Sequence, residues 1–346
     1  MPDAAKRTTA FALAGLGGFN AHGAGFLSAA SACEVVPDLV TATSGQIVVL
    51  ADWLQHKNLE ESLVSPELEH NAMAQLAVVL NGEQGVFRPA YREAIMRWWT
   101  PPTSMKDFVN RLLPAQVYVP TRPAADFVKI AEVFNNSKDI GIVFNAYNLS
   151  SGEAVLYGNA RATDLWDSDK AIPDATASAT DRKGAVGKKE LPLQPITAEA
   201  VKSALWLSLY GFDHLPQPHL MDGAYHRACL VSELHIFDRI FVARPLARGW
   251  PGHGPGNWFE VQDWQTEMWF SAGYKAEVDA LNQINGLVKS KRLGPPFKEV
   301  ELIEIAPVTP AGFFNFFIER KRVYDLAFEE AIAAFAARGL CPAKVA

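Results

Sequence analysis

The chain is poor in cysteine. Cys33, Cys229 and Cys341 are its only three, far apart and odd in number. They make no CxxC pair and are read as forming no disulfide framework, which points to a reducing, cytoplasmic setting. Long apolar runs are missing too, since no stretch reaches the roughly 20 residues that a bilayer-spanning helix needs. The stretch TTAFALAGLGGF behind Lys6 and Arg7 is too short and too broken by glycine to read as a secretory leader. There is no basic block: 32 Lys and Arg face 38 Asp and Glu, for a net charge of −6. Phosphate neutralisation needs clustered cations, so nucleic acid is excluded as the main partner. None of the eight histidines falls in an HExxH pattern or stands at metal spacing from a cysteine. No calcium-loop pattern occurs either, and no metal or other cofactor is implied.

What is present is a core-forming composition. Hydrophobic residues make up 49% of the 346 positions and charged ones 20%, enough to bury one large α/β domain or two smaller ones. TAFALAGL (9–16) reads as a buried strand, and GAGFLSAASA (23–32) as a helix of small residues. Residues 47–54 read as a second helix, with further helices over 66–80 and 89–99. GIVFNAYNL (141–149) and AVLYGNA (154–160), joined by Ser-Ser-Gly, predict a β-hairpin. Residues 167–192 read as an exposed loop, 197–211 as a buried helix with a Thr cap, and 239–246 as a strand. Val278, Leu281, Ile284 and Val288 mark a long helix, 298–308 another strand, and the stretch from Tyr324 to Phe335 a last amphipathic helix ending at Gly339. Strands alternating with helices predict a layered α/β domain.

Three stretches could carry chemistry. AGLGGFNAHGAGF (14–26) puts a strand, a glycine turn and a helix start together, an arrangement of backbone N–H groups that suits an anion or an oxyanion. The dinucleotide motif fails there because Asn20 stands where the third glycine belongs, and Asp38 is the only acid near position 40. A Walker A loop fails for want of Gly-Lys-Ser/Thr. The second stretch is ATSGQ (42–46). Ser44 is either a helix N-cap or a nucleophile on a strand-to-helix turn, and it is flanked by Ala42 and Gln46 where such an elbow favours glycines. In the third, MDGAYHR (221–227), an Asp-Gly is ordinarily a turn. A carboxylate at Asp222 could also act as general base toward Ser44.

Taken in this order, GLGGFNAHGAGFL (15–27), ATSGQ (42–46) and DGA (222–224) resemble the patatin-like phospholipase family. The resemblance covers roughly residues 9–245. It implies a three-layer α/β/α domain with a mainly parallel sheet and extra C-terminal helices, divided into a catalytic core (1–245) and a helical extension (246–346) packed on it. It also implies a Ser-Asp dyad of Ser44 and Asp222. The oxyanion hole would be built from the N–H groups of Gly17, Gly18 and Phe19, with that of Gly45. The expected activity is carboxylic ester hydrolysis on a lipid or small ester, with peripheral membrane contact as a further expectation. Three departures stand out: Phe19 and Asn20 replace the family's basic residue after the glycines, both elbow glycines are gone, and Tyr225-His226-Arg227 follows DGA.

The rival reading is a patatin-fold binding or scaffold protein without turnover, and Gln46 is the residue that separates the two. An α/β-hydrolase would need a histidine after its acid, with His226, His235 and His253 the candidates, and more strands before its serine than this chain has. His214 and His219 match no metal spacing. His22 inside the glycine loop reads as structural. The aromatic groups around Phe87, Met96, Trp98 and Trp99, and around Trp264, Met268, Trp269 and Phe270, read as core. A lipid-facing rim is the alternative.

Overall fold

A computed structural model describes residues 7–15, 20–64, 80–82, 85–170, 193–244, 249–250, 254–294, 297–306 and 320–342. In chain order its elements begin with β1 (Thr9–Leu13), α1 (Ala21–Ala32), β2 (Leu39–Ala42), α2 (Gln46–Leu54) and α3 (Leu59–Leu63). A small pair of strands, β3 (Phe87–Pro89) and β4 (Tyr118–Pro120), brackets α4 (Tyr91–Arg97) and α5 (Met105–Leu112). Next come α6 (Ala124–Asn136), β5 (Gly141–Asn148), β6 (Glu153–Gly158), α7 (Ala160–Lys170), β7 (Gln194–Pro195) and α8 (Ala198–Ala204). The chain closes with β8 (Leu220–Asp222), β9 (Arg239–Ala243), α9 (Trp258–Lys289), β10 (Glu301–Ile305) and α10 (Arg320–Ala336).

The large sheet has the order β10-β9-β1-β2-β5-β6-β7, with β8 also paired to β5. The pairs from β10 to β5 run parallel, and the β5–β6 and β5–β8 pairs are antiparallel. Helices cover both faces, giving three α/β/α layers. Phe11 and Leu13 of β1 join one core with Phe26, Ile47, Phe134 and Phe335, while Ala10 and Ala12 join the other with Trp166, Tyr274 and Leu281. A strand buried on both sides has no polar face, which is why β1 after Thr9 and β9 after Arg239 are continuous apolar runs.

The small residues of α1 let α10 approach closely. A Cβ added at Gly25 would lie 2.2 Å from the Tyr324 carbonyl oxygen, a backbone atom that cannot turn aside. Gly25→Ala is therefore expected to destabilise the fold by about 1–3 kcal/mol despite the higher helix propensity of alanine. A fall in the chemical denaturation midpoint with an unchanged m-value checks it.

Several expectations are corrected. Cys33 and Cys341 are disulfide-bonded across a separation of 308 residues, and Cys229 is free and buried. Packing of α1 on α10 brings their ends together, so the distance in sequence was no guide. The argument for a reducing compartment loses its basis. The helix expected over 197–211 stops at Ala204, because the Trp206 carbonyl accepts the Asp222 N–H at 3.1 Å and the Trp206 indole N–H donates to the Gly211 carbonyl at 2.9 Å. Residues 160–170 are helical where 167 onward was read as loop, and 171–192 lie outside the described residues. So does all but Leu80 of the helix expected over 66–80. Met96, Trp98 and Trp99, read as core, are exposed, as are Trp264 and Trp269, whereas Phe87 and Phe270 are buried. No helix among the described residues is long and apolar enough to cross a membrane.

Candidate active site

The site lies where β1 and β2 end side by side, at the carboxyl edge of the parallel strands, where open α/β sheets place ligands. After β2 the chain passes Thr43, Ser44 and Gly45 and enters α2 at once. Ser44 has φ +56°, the left-handed region that a non-glycine residue enters only where its surroundings hold it. It does not cap the helix. Gly45 occupies the cap position, with no side-chain cap bond, and the Ser44 hydroxyl instead donates to Asp222 Oδ2. A strained serine on a strand-to-helix turn is the geometry of a nucleophile elbow.

The missing elbow glycines are replaced from outside the motif. A Cβ at Gly15 would stand 2.4 Å from the Thr43 carbonyl oxygen and 2.7 Å from Ser44 Cβ, so only glycine lets β1 run past the turn. A Cβ at Gly23 would fall 1.7 Å from Gln46 Oε1, so the empty side of Gly23 receives the Gln46 side chain. Gln46 is buried, with its Nε2 3.3 Å from His22 Nε2, and makes no hydrogen bond to Ser44. His22 Nε2 lies 2.9 Å from the Ala14 carbonyl oxygen, tying the start of α1 to the end of β1.

Asp222 ends β8, opposite Ala146 of β5. Its Oδ1 accepts the Ala224 N–H at 2.8 Å, so each carboxyl oxygen has one donor. The carboxyl is completely enclosed, and that burial pushes its pKa up to about 7, against the lowering effect of the bonds from Ser44 and Ala224. A carboxylate so raised is a competent base near neutral pH.

The segment after Asp222 is anchored firmly. Arg227 forms ion pairs with Glu233 and Glu277, and Glu277 Oε2 also accepts the N–H groups of Val231 (2.9 Å) and Ser232 (3.1 Å). Asn145, in the middle of β5, accepts from Thr43 Oγ1 at 3.0 Å and donates to the Gly223 carbonyl at 3.2 Å and the Arg227 carbonyl at 3.0 Å. It thus touches the neighbours of both Ser44 and Asp222, and residue-by-residue reading of the sequence passed over it. A signal was there: an asparagine inside GIVFNAYN, an apolar strand, needs buried partners.

Among the predicted site residues, Ser44 and Asp222 come into contact, and Gly45 follows Ser44 directly. Gly17, Gly18 and Phe19 lie outside the described residues. His226 is exposed, stacked on Tyr147 with ring centres 5.6 Å apart, and His214 and His219 are exposed on the loop before β8.

No family model matches the chain, and no curated protein matches it. Among solved structures it is similar to VipD from Legionella pneumophila, with 11% identity and a TM-score of 0.35 over 96% of this chain and 67% of that one.

Proposed function

We propose that the chain is a serine acyl hydrolase of the patatin-like kind, acting on a lipid or small ester with Ser44 as nucleophile and Asp222 as its base. The observation that carries this reading is the strained Ser44 donating its hydroxyl proton to a buried carboxylate of raised pKa. In the reaction, Asp222 takes the hydroxyl proton as Ser44 Oγ attacks the ester carbonyl. The Gly45 N–H at the start of α2, with the N–H groups of Gly17, Gly18 and Phe19, stabilises the oxyanion. Asp222 then protonates the departing alkoxide, leaving the acyl group on Ser44. Water attacks next, losing its proton to Asp222, and the carboxylic acid leaves as Ser44 recovers its proton. In this reading residues 1–245 form the catalytic core and 246–346 an extension completing the same domain.

One observation favours the rival, a binding protein of this fold without turnover: Ser44 and Asp222 are each only 1% exposed. Labelling with a fluorophosphonate probe decides between them. The native chain is expected to label, Ser44→Ala not at all, and Asp222→Asn at least about a hundredfold more slowly. A folded native chain that resists the probe would sink the hydrolase reading.

A further inference from the structure

Helices α4 and α5 contain no buried residue. On α5, Met105, Phe108, Val109 and Leu112 follow at i, i+3, i+4 and i+7, a stripe that ordinarily faces a core. Here it faces solvent: Met105 is 76% exposed and Leu112 55%, and beside them Leu113 is 78% and Trp99 76% exposed. The pair is nonetheless held in a defined shape. Arg111 donates to the carbonyls of Arg97 and Thr100 and to Asp107, and the Trp98 ring meets Phe108 edge-on at 6.2 Å. So many exposed large apolar side chains on two neighbouring helices call for an occupant.

Charge identifies it. Residues 86–122 hold six basic side chains (Arg88, Arg92, Arg97, Lys106, Arg111, Arg122) against Glu93 and Asp107, a surplus of four in a chain whose net charge is −6. Arg88 pairs with Glu93 and Arg111 with Asp107, while Arg92 and Lys106 form no ion pair with the described residues. A second copy would bring the same cationic face against itself. Exposed tryptophans at the end of one short helix, beside the apolar stripe of the next and among basic side chains, match the headgroup layer of an anionic bilayer, where the rings sit at the interface and the cations meet lipid phosphates and carboxylates. We propose that the face formed by α4 and α5 docks the protein on an anionic lipid bilayer.

This face is joined to the site. The Val117 N–H donates to the Leu209 carbonyl at 2.9 Å, and Phe87 shares a small core with Trp206 and Met221, the residue before Asp222. Docking would therefore bring the proposed dyad to its lipid. That consequence rests on the hydrolase reading, whereas the docking itself does not.

The test is co-sedimentation of the full chain with vesicles of phosphatidylcholine alone or mixed with phosphatidylserine. Binding is expected to the mixed vesicles, weaker at high salt, and lowered about tenfold or more in a Trp99→Asp, Leu113→Asp double variant. Both positions are exposed, and an unchanged thermal midpoint would show that the variant folds. Ser44→Ala should sediment like the native chain. Failure to bind the mixed vesicles, or undiminished binding by the double variant, overturns the proposal. So does dimerisation that the double variant abolishes in a chain that ignores vesicles, since the face would then belong to a second copy. Vesicle binding by a chain that resists the fluorophosphonate would leave the docking face standing and remove only the hydrolase.

Discussion

Asp222→Asn is expected to lose turnover and gain stability in the same molecule. Both follow from one enclosed carboxyl whose pKa is pushed up to about 7 by burial. Taking the ordinary value near 3.9 for the unfolded chain, the folded state binds the extra proton between those two values. Stability from this group is thus fully present below about pH 4 and is lost as pH rises through about 7, by roughly 4 kcal/mol in all. Asparagine keeps the shape, accepts the Ala224 N–H and carries no charge to bury. At pH 8 the variant should therefore withstand several kcal/mol more of denaturant stress than the native chain, on the order of that 4 kcal/mol, and the two should converge near pH 4. Turnover should fall about 10²–10⁴-fold, the usual effect of losing a positioned base. The native kcat/KM should rise with pH to a plateau, with its midpoint near 7 rather than in the ordinary carboxylate range. Denaturation curves at the two pH values test the linkage, and equal stabilities of the two chains at pH 8 would refute it.

A stability contribution that falls as pH rises toward 7 is the trade-off expected of a carboxyl held for chemistry, as the proposed hydrolase requires. The same tension is visible at Ser44, whose left-handed backbone would relax if the surrounding chain allowed it.

The central elements were legible because their physics is local or strongly patterned. β1, β9 and the β5–β6 hairpin are buried runs broken by glycine or turn residues, and α10 repeats its apolar residues at helical spacing up to Gly339. What stayed hidden depends on partners distant in sequence. ATSGQ looked too crowded for an elbow because the space it uses belongs to Gly15 and Gly23, on β1 and α1. The disulfide joins residues that only packing of α1 on α10 brings near. Helix α7 was missed although Asn159 announces it, its Oδ1 accepting the Ala162 N–H at 2.9 Å. Trp98 and Trp99 were assigned to the core on residue type, yet the chain around them, rich in proline and arginine, offers no second apolar layer to cover them.

Asn145 is the residue whose loss should separate positioning from mere folding. It is fully buried, and its amide accepts one hydrogen bond and donates two. Through Thr43 it holds the turn carrying Ser44, and through Gly223 and Arg227 it holds the segment leaving Asp222. The fit is tight enough that a Cβ at Gly223 would lie 2.3 Å from Asn145 Cγ. Asn145→Ala strands three buried partners and should destabilise the chain by about 2–4 kcal/mol. Below its unfolding transition the variant remains folded, but the two side chains of the proposed dyad lose their common anchor. A misplacement of that kind acts on the transition state, so kcat should fall about a hundredfold while KM stays within about twofold. Thr43→Val removes only one of the three bonds and should fall between native and Asn145→Ala in both kcat and stability. A purely structural role would lower the denaturation midpoint of Asn145→Ala and leave kcat of the folded fraction intact, and that pattern would remove Asn145 from the site.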